Sequence, residues 1–125
     1  MPRTIQPVCI LDDDASVLSS LRELLASDGL DAEIFDSPGK FLTYAQEHPI
    51  KLAILDVWMP ATSGMEVQDR LREFSPETRV IIITGRPELA IRTVAVENGS
   101  FAFLVKPFED DVFLGLVRKA LDEEP

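Results

Sequence analysis

The chain has 125 residues, of which 46% are hydrophobic, so it is long and apolar enough for one domain with a buried core. Its 12 basic and 22 acidic side chains give a formal net charge of −10, which argues against a general nucleic-acid binder, because such a protein needs a basic face. A single cysteine excludes an internal disulfide and a cysteine-rich zinc site, and no apolar run approaches the ~20 residues that cross a bilayer. We therefore expect one cytoplasmic domain over residues 1–125, with no membrane segment and no direct nucleic-acid binding.

Short apolar runs alternate along the chain with longer segments of helical period. In chain order, the pattern predicts a strand at Val8–Leu11, a helix at 15–28, a strand at Ala32–Phe35, a helix at 38–46, a strand at Leu52–Leu55, a helix at 63–74, a strand at Val80–Ile83, a helix at 87–97, a strand at Phe101–Val105 and a helix at 109–121. Four of the strands are nearly continuous apolar runs, which predicts burial on both faces of a parallel sheet. The run at Ala32–Phe35 is more mixed and suits an edge strand.

Several helix ends carry the residues that commonly start or stop a helix. Asp14 is a possible cap of the first helix, and Ser37 with Pro38 marks the start of the second. Ser63 and Glu66 have the spacing of a capping box. The last predicted helix has three acidic residues, 109–111, in its first turn, where they complement the helix dipole.

Strict alternation of strands and helices predicts one parallel sheet with helices on both faces. Among topologies with right-handed crossovers, the flavodoxin-like (βα)5 fold with strand order 2-1-3-4-5 is the expected arrangement. In such a sheet, ligands bind beyond the carboxyl ends of the strands, beside the switch point between strands 1 and 3.

Polar residues follow four of the predicted strands at that edge. Strand 1 leads into Asp12 and Asp13, strand 3 into Asp56, strand 4 into Thr84-Gly85 and strand 5 into Lys106-Pro107. Converging carboxylates repel one another, and a hard divalent cation such as Mg²⁺ relieves this repulsion. A cation, an ammonium and a hydroxyl could then hold a phosphoryl group, and an aspartate can be the nucleophile that forms an aspartyl phosphate. Gly85 leaves room for that group.

Each of these signals also has an ordinary explanation when it is taken alone. The acidic run after strand 1 is typical of a helix cap, Asp56 of a turn, Thr84 of a β-branched strand residue and Lys106 of a surface lysine. The functional interpretation depends on their joint placement after strands 1, 3, 4 and 5.

At the level of motifs, the sequence resembles the receiver domains of response regulators. The resemblance rests on Leu-Asp12-Asp13-Asp, Leu-Asp56-Val-Trp-Met-Pro60, Ile-Ile-Thr84-Gly85 and Phe103-Leu-Val-Lys106-Pro107-Phe, and it covers essentially the whole chain. The segment after Lys106 and the aromatic residue at 103 look most like receivers of FixJ-type transcription regulators.

The resemblance implies a role for each motif residue. Asp56 would accept a phosphoryl group from a histidine kinase. Asp13, Asp56 and the backbone carbonyl of Trp58 would coordinate Mg²⁺, for which Mn²⁺ is a possible substitute, and Asp12 would act mainly through metal-bound water. Thr84 would hydrogen-bond the phosphoryl group and Lys106 would pair with it. Phe103 matches the aromatic residue that turns inward when Thr84 moves, and the resemblance implies a cis bond before Pro107.

The domain would then be a switch controlled by phosphorylation, and not an enzyme that turns over an outside substrate. The added charge of about −1.5 to −2 would draw Thr84 and Lys106 towards Asp56. This would bias a surface formed by the helix at 87–97, strand 5 and the last helix, with Leu89, Ile91 and Val94 among its apolar residues. We expect that surface to control a homodimer or a tethered or separate effector.

Two large residues distinguish this sequence near the expected phosphoryl site. Trp58 stands two residues after the acceptor aspartate, and Arg86 stands two residues after Thr84. We predict that both restrict attacking water and so lengthen the lifetime of the aspartyl phosphate. The alternative is that Trp58 only covers a nearby loop.

Three other functions remain open from the sequence. A haloacid-dehalogenase-like phosphatase also uses an aspartate after strand 1, which would be Asp12, but it would leave Asp56 unexplained. A receiver fold that works only as a binding module would not need phosphorylation. A flavodoxin-like cofactor binder is disfavoured, because the acidic loop after strand 1 would repel a flavin phosphate.

Overall fold

A computed structural model describes residues 7–56, 64–85 and 99–122 of the chain. Its described residues contain five parallel strands in the order β2-β1-β3-β4-β5, as the alternating sequence pattern predicts. The strands are β1 (Val8–Leu11), β2 (Ala32–Phe35), β3 (Leu52–Asp56), β4 (Arg79–Thr84) and β5 (Ala102–Val105).

In the part of the chain that the structure describes, four helices connect or follow these strands. They are α1 (Ala15–Ser27), α2 (Pro38–Glu47), α3 (Gly64–Phe74) and the C-terminal helix α4 (Asp110–Asp122). The predicted caps Asp14 and Ser37 are confirmed, since the Asp14 side chain accepts from Ser16 and Val17 and the Ser37 hydroxyl accepts from Lys40. The helix predicted at 87–97 and the Ser63 cap lie outside the described residues.

The C-terminal helix begins one residue later than predicted. Its first turn therefore contains two acidic residues, Asp110 and Asp111, instead of three. Glu109 precedes the helix, and its carbonyl accepts a hydrogen bond from the backbone N–H of Phe113 at 3.1 Å. The dipole argument from the sequence holds for the two residues inside the helix.

The core has two halves, one on each face of the sheet. On one face, alternate strand residues pack against α1 and α4; these strand residues are Val8, Ile10, Leu52, Ile54, Ile81, Ile83 and Leu104. On the other face, the intervening strand residues pack against α2 and α3; they are Cys9, Leu11, Ala53, Leu55, Val80 and Ile82. Parallel strands covered by helices on both faces bury successive side chains, which explains their continuous apolar runs.

The burial prediction is confirmed for three strands and wrong for the fourth. All residues of β1 and β3 are buried, as are all residues of β4 after Arg79. In β5 only Leu104 is buried, and the other three residues are partly exposed. The reason is that, among the described strands, β5 lies at one edge of the sheet beside β4, as the mixed strand β2 lies at the other edge beside β1.

Polar contacts join the loops at the amino ends of the strands. The Thr78 hydroxyl donates to the Ile50 carbonyl at 2.6 Å and lies 2.6 Å from the Ser75 hydroxyl. Arg79 Nη1 donates to the Ala120 carbonyl at 2.9 Å, and its guanidinium lies 5.2 Å from the centre of the Phe101 ring. Within the described residues, no helix combines the length and the apolar character that a membrane span requires.

Candidate functional site

The strands bring the predicted polar residues together at the carboxyl edge of the sheet. Asp12 and Asp13 follow β1 directly, while Asp56 is the last residue of β3 and Thr84 the last residue of β4. Carboxylate oxygens of Asp12, Asp13 and Asp56 all lie within 4.8 Å of one another. Lys106 follows β5, and its backbone N–H donates to the Thr84 carbonyl at 2.7 Å.

Asp12 is the most enclosed of the three carboxylates, with 1% of its surface exposed. Its Oδ1 accepts the backbone N–H of Asp14 at 2.9 Å, and its Oδ2 accepts from Lys106 Nζ at 3.0 Å. Because both oxygens have protein partners, the carboxylate is held in one orientation. This arrangement suits a group that acts through bound water, as the resemblance implies for Asp12.

Asp13 and Asp56 differ from Asp12 in what surrounds them. Asp13 is exposed, and its carboxylate has no hydrogen-bond or ion-pair partner among the described residues. Asp56 is 5% exposed, and its Oδ1 lies 3.9 Å from Lys106 Nζ. Asp13 is therefore available as a direct ligand, and Asp56 lies at the carboxyl end of the central strand β3.

The residues present fit a divalent cation of the Mg²⁺ type. Three carboxylates and one ammonium leave two net negative charges in a partly buried cluster, and the donors are all oxygens. Like charges this close together are unfavourable unless a cation is shared between them. Oxygen donors from one or two carboxylates, completed by water, are what Mg²⁺ prefers.

The neighbouring strand ends provide a hydroxyl and free space. Thr84 is fully buried in β4. Gly85 follows it, and a Cβ at this position would meet no atom of the described residues within 4 Å, so the position is open on that side. The peptide bond between Lys106 and Pro107 is cis, as the resemblance implies.

Phe103 lies on β5 opposite Ile82 of β4, and it is half-buried against the core on the α2 and α3 face. This partial exposure is compatible with more than one ring position. Trp58, Arg86 and the helix at 87–97, with Leu89, Ile91 and Val94, lie outside the described residues. The ion pair between Lys106 and Asp12 is a contact that sequence reasoning missed, because the sequence contains no signal for which carboxylate a flexible lysine meets.

Two titratable groups, one on β1 and one just after it, have shifted pKa values. Hydrogen bonds from the Ser16 side chain, the Ser16 backbone and the Val17 backbone lower the pKa of Asp14, so the carboxylate that caps α1 stays ionised. Burial, followed by the charge of Glu33, raises the pKa of the Cys9 thiol to about 12. Cys9 is therefore a neutral core residue and neither a nucleophile nor a metal ligand at neutral pH.

Two known response regulators are similar to this chain in sequence. The response regulator protein TodT of Pseudomonas putida is 37% identical over 118 residues, covering 94% of this chain and 52% of TodT. The transcriptional regulatory protein FixJ of Bradyrhizobium diazoefficiens is 31% identical over 114 residues, covering 91% of this chain and 56% of FixJ. The chain thus spans about half the length of the curated relatives it matches.

The fold is shared with solved structures as well. A CheY-like response regulator receiver domain from Methanospirillum hungatei superimposes with a TM-score of 0.90 at 25% identity, covering 95% of both chains. The family description that matches residues 8–118 is the response regulator receiver domain. The matched span includes every aspartate of the cluster together with Thr84 and Lys106. The chain belongs to the receiver domain family of response regulators.

Proposed function

We propose that this receiver domain, over residues 1–125, accepts a phosphoryl group from a histidine kinase on Asp56 in a Mg²⁺-dependent reaction. The observation that carries the proposal is the cluster of Asp12, Asp13 and Asp56, with carboxylate oxygens within 4.8 Å, beside the ammonium of Lys106. Mg²⁺, or Mn²⁺ in its place, would supply positive charge that offsets the carboxylates and the incoming phosphoryl oxygens.

The contacts of Asp12 argue against this residue as the acceptor. Both Asp12 oxygens already accept hydrogen bonds, and its surface is almost entirely enclosed. A carboxylate oxygen of Asp56 would attack phosphorus while the bond to the kinase imidazole nitrogen breaks, so the imidazole leaves and an acyl phosphate forms. Asp13 would be a direct metal ligand, together with Asp56 and the backbone carbonyl of Trp58.

Thr84, Gly85 and Lys106 would surround the transferred group. The Thr84 hydroxyl would donate a hydrogen bond, Gly85 would leave space, and Lys106 would move from Asp12 towards the phosphoryl oxygens. The Lys106 ammonium lies 3.0 Å from Asp12 and 3.9 Å from Asp56, so this requires only a small displacement.

The resulting movement would be transmitted to a surface that controls output. Movement of Thr84 would free space for Phe103 to turn inward and would bias the helix at 87–97, β5 and α4. A homodimer, a tethered effector or a separate effector would respond to that change. Trp58 and Arg86 would limit access of water to the acyl phosphate.

The partners follow from the family and from the charge of the chain. A histidine kinase in the cytoplasm would supply the phosphoryl group, and the net charge of −10 argues against direct nucleic-acid binding by this domain. TodT and FixJ are named as regulators and are about twice as long as the matched region. By analogy, this receiver domain would act on a tethered or a separate effector.

Intact-mass spectrometry after incubation with acetyl phosphate and Mg²⁺ tests the proposal. We expect one phosphoryl adduct on the wild type and on Asp31→Asn, a control that removes an exposed carboxylate remote from the cluster. Asp56→Asn should carry none. An adduct on Asp12 would contradict the proposal and indicate a phosphatase-like enzyme. Absence of both an adduct and Mg²⁺ binding would indicate a binding module that works without phosphorylation.

A further inference from the structure

Asp14 connects the start of α1 to the carboxylate cluster through two sets of hydrogen bonds. Its Oδ1 accepts the Ser16 backbone N–H at 2.9 Å, the Ser16 hydroxyl at 2.7 Å and the Val17 backbone N–H at 3.4 Å. Its own backbone N–H donates to Asp12 Oδ1 at 2.9 Å. The same residue therefore caps a helix with its side chain and orients a site carboxylate with its main chain.

On the basis of the proposed function, we propose that Asp14 is a positioning residue for the divalent cation, and that it acts by capping α1 and not by its charge. The cap keeps the Asp14 backbone extended, with φ −95° and ψ 109°, in the conformation that points its N–H at Asp12. Asp13 lies between the two residues, so the same turn sets the position of the exposed carboxylate.

Repulsion within the cluster explains why this turn needs support. The carboxylates of Asp12, Asp13 and Asp56 repel one another when no cation is bound, which favours any movement of the turn away from β3. Asp12 is also anchored through its backbone N–H, which donates to the Phe35 carbonyl at 3.2 Å. Asp13 has no such contact among the described residues, so its position depends on the Asp14 cap on one side and Asp12 on the other.

Substitutions at position 14 separate capping from charge. Asn and Ser cap helices about as well as Asp but carry no charge, whereas Ala cannot cap. We expect Asp14→Ala to weaken Mg²⁺ binding by about 10-fold, the lower end of what the loss of a supporting contact does to metal affinity. Asp14→Asn and Asp14→Ser should stay within about twofold of the wild type, because salt screens the charge of an exposed side chain.

The chain contains a matched control for loss of a cap. Ser37 caps α2, where its hydroxyl accepts the Lys40 backbone N–H at 3.3 Å. Ser37 is on the loop after β2, and within the described residues no hydrogen bond or ion pair joins it to the carboxylate cluster. Ser37→Ala should lower the free energy of unfolding by an amount similar to Asp14→Ala and leave the Mg²⁺ dissociation constant unchanged.

Titration calorimetry of the full chain with MgCl₂ provides the test, with circular dichroism to verify that each variant is folded. We expect Asp14→Ala to bind Mg²⁺ more weakly than the wild type. Asp14→Asn, Asp14→Ser and Ser37→Ala should bind it about as tightly as the wild type. Equal Mg²⁺ affinities of the wild type and Asp14→Ala would overturn this inference but not the proposed function. So would an Asp14→Asn variant as weak as Asp14→Ala, because charge would then be responsible. A wild type that binds no Mg²⁺ would overturn the proposed function and the inference with it.

Discussion

The two edges of the sheet use their polar residues in opposite ways. At the amino edge, the hydroxyl of Thr78 and the guanidinium of Arg79 donate to carbonyls of neighbouring loops and helices. At the carboxyl edge, Asp12, Asp13 and Asp56 are held within 4.8 Å of one another. In the described residues, Lys106 is the cation found beside them.

The difference indicates which edge stabilises the fold and which one carries residue types that could hold a cation. The amino-edge contacts satisfy buried polar groups, so removing a donor there leaves an acceptor unpaired at a cost of about 1–3 kcal/mol. The carboxyl-edge contacts keep like charges close together, and removing a charge there relieves repulsion. The two edges should therefore respond to substitution with opposite signs.

Mg²⁺ should produce the largest effect, and it should act through the carboxyl edge alone. At a free concentration 100-fold above its dissociation constant, the ion would raise the free energy of unfolding of the wild type by about 2.7 kcal/mol. Asp13→Asn should gain much less, because it loses the exposed ligand. Urea unfolding with and without MgCl₂ measures both values, and an equal gain in the two proteins would contradict the assignment of Asp13.

Thr78→Val should give the next largest effect, at the amino edge. Valine has a similar shape but removes the donor to the Ile50 carbonyl and the hydroxyl partner of Ser75, each 2.6 Å away. We expect a loss of about 2 kcal/mol in the free energy of unfolding, independent of Mg²⁺. Thr43→Val, an exposed position on α2, is the control and should change stability by less than about 0.5 kcal/mol. A small loss for Thr78→Val would show that the amino edge is not stabilised in this way.

Asp13→Asn in metal-free buffer should have a smaller effect of opposite sign. Removing one of three neighbouring carboxylates should raise the free energy of unfolding by about 0.5 kcal/mol at low salt. The gain should shrink as salt is added, because Asp13 is exposed and its interactions are screened. Chemical unfolding at two salt concentrations measures it. A destabilised variant would mean that Asp13 has a structural role that outweighs repulsion.

The sequence predicted which strands form the sheet and which residues meet at its carboxyl edge better than it predicted the contacts between individual side chains. The observed bounds of β1 and β2 equal the predicted ones. The meeting of Asp12, Asp56 and Lys106 follows from parallel strands that end at one edge of the sheet. Apolar runs do not distinguish a central strand from the edge strand β5, because hydrophobicity does not report the number of neighbouring strands. Lys106 lies closer to Asp12 than to Asp56 because of its side-chain conformation, which has no local sequence signal. The contact of Arg79 with Ala120 depends on how α4 packs against the sheet, so it has no local signal either.

A surface ion pair between α1 and α4 should show the smallest effect and a distinctive pH dependence. Arg118 Nε donates to Asp28 Oδ2 at 2.7 Å, and a second hydrogen bond joins Arg118 Nη2 to Asp28 Oδ1, linking the end of α1 to α4. These hydrogen bonds lower the pKa of Asp28 in the folded protein. The pair therefore contributes stability above the pKa of about 3.9 that Asp has in an unfolded chain, and loses it as the pH falls through the lower folded pKa.

Asp28→Asn should consequently be less stable than the wild type at pH 7, and the difference should disappear in acid. The difference at neutral pH should be small, because the pair is at the surface and is screened by salt. Thermal unfolding of both proteins between pH 7 and pH 2 measures it, with Asp31→Asn as the control at an exposed aspartate outside this pair. A difference that persists in strong acid would mean that Asp28 acts as the C-terminal cap of α1 and not through Arg118.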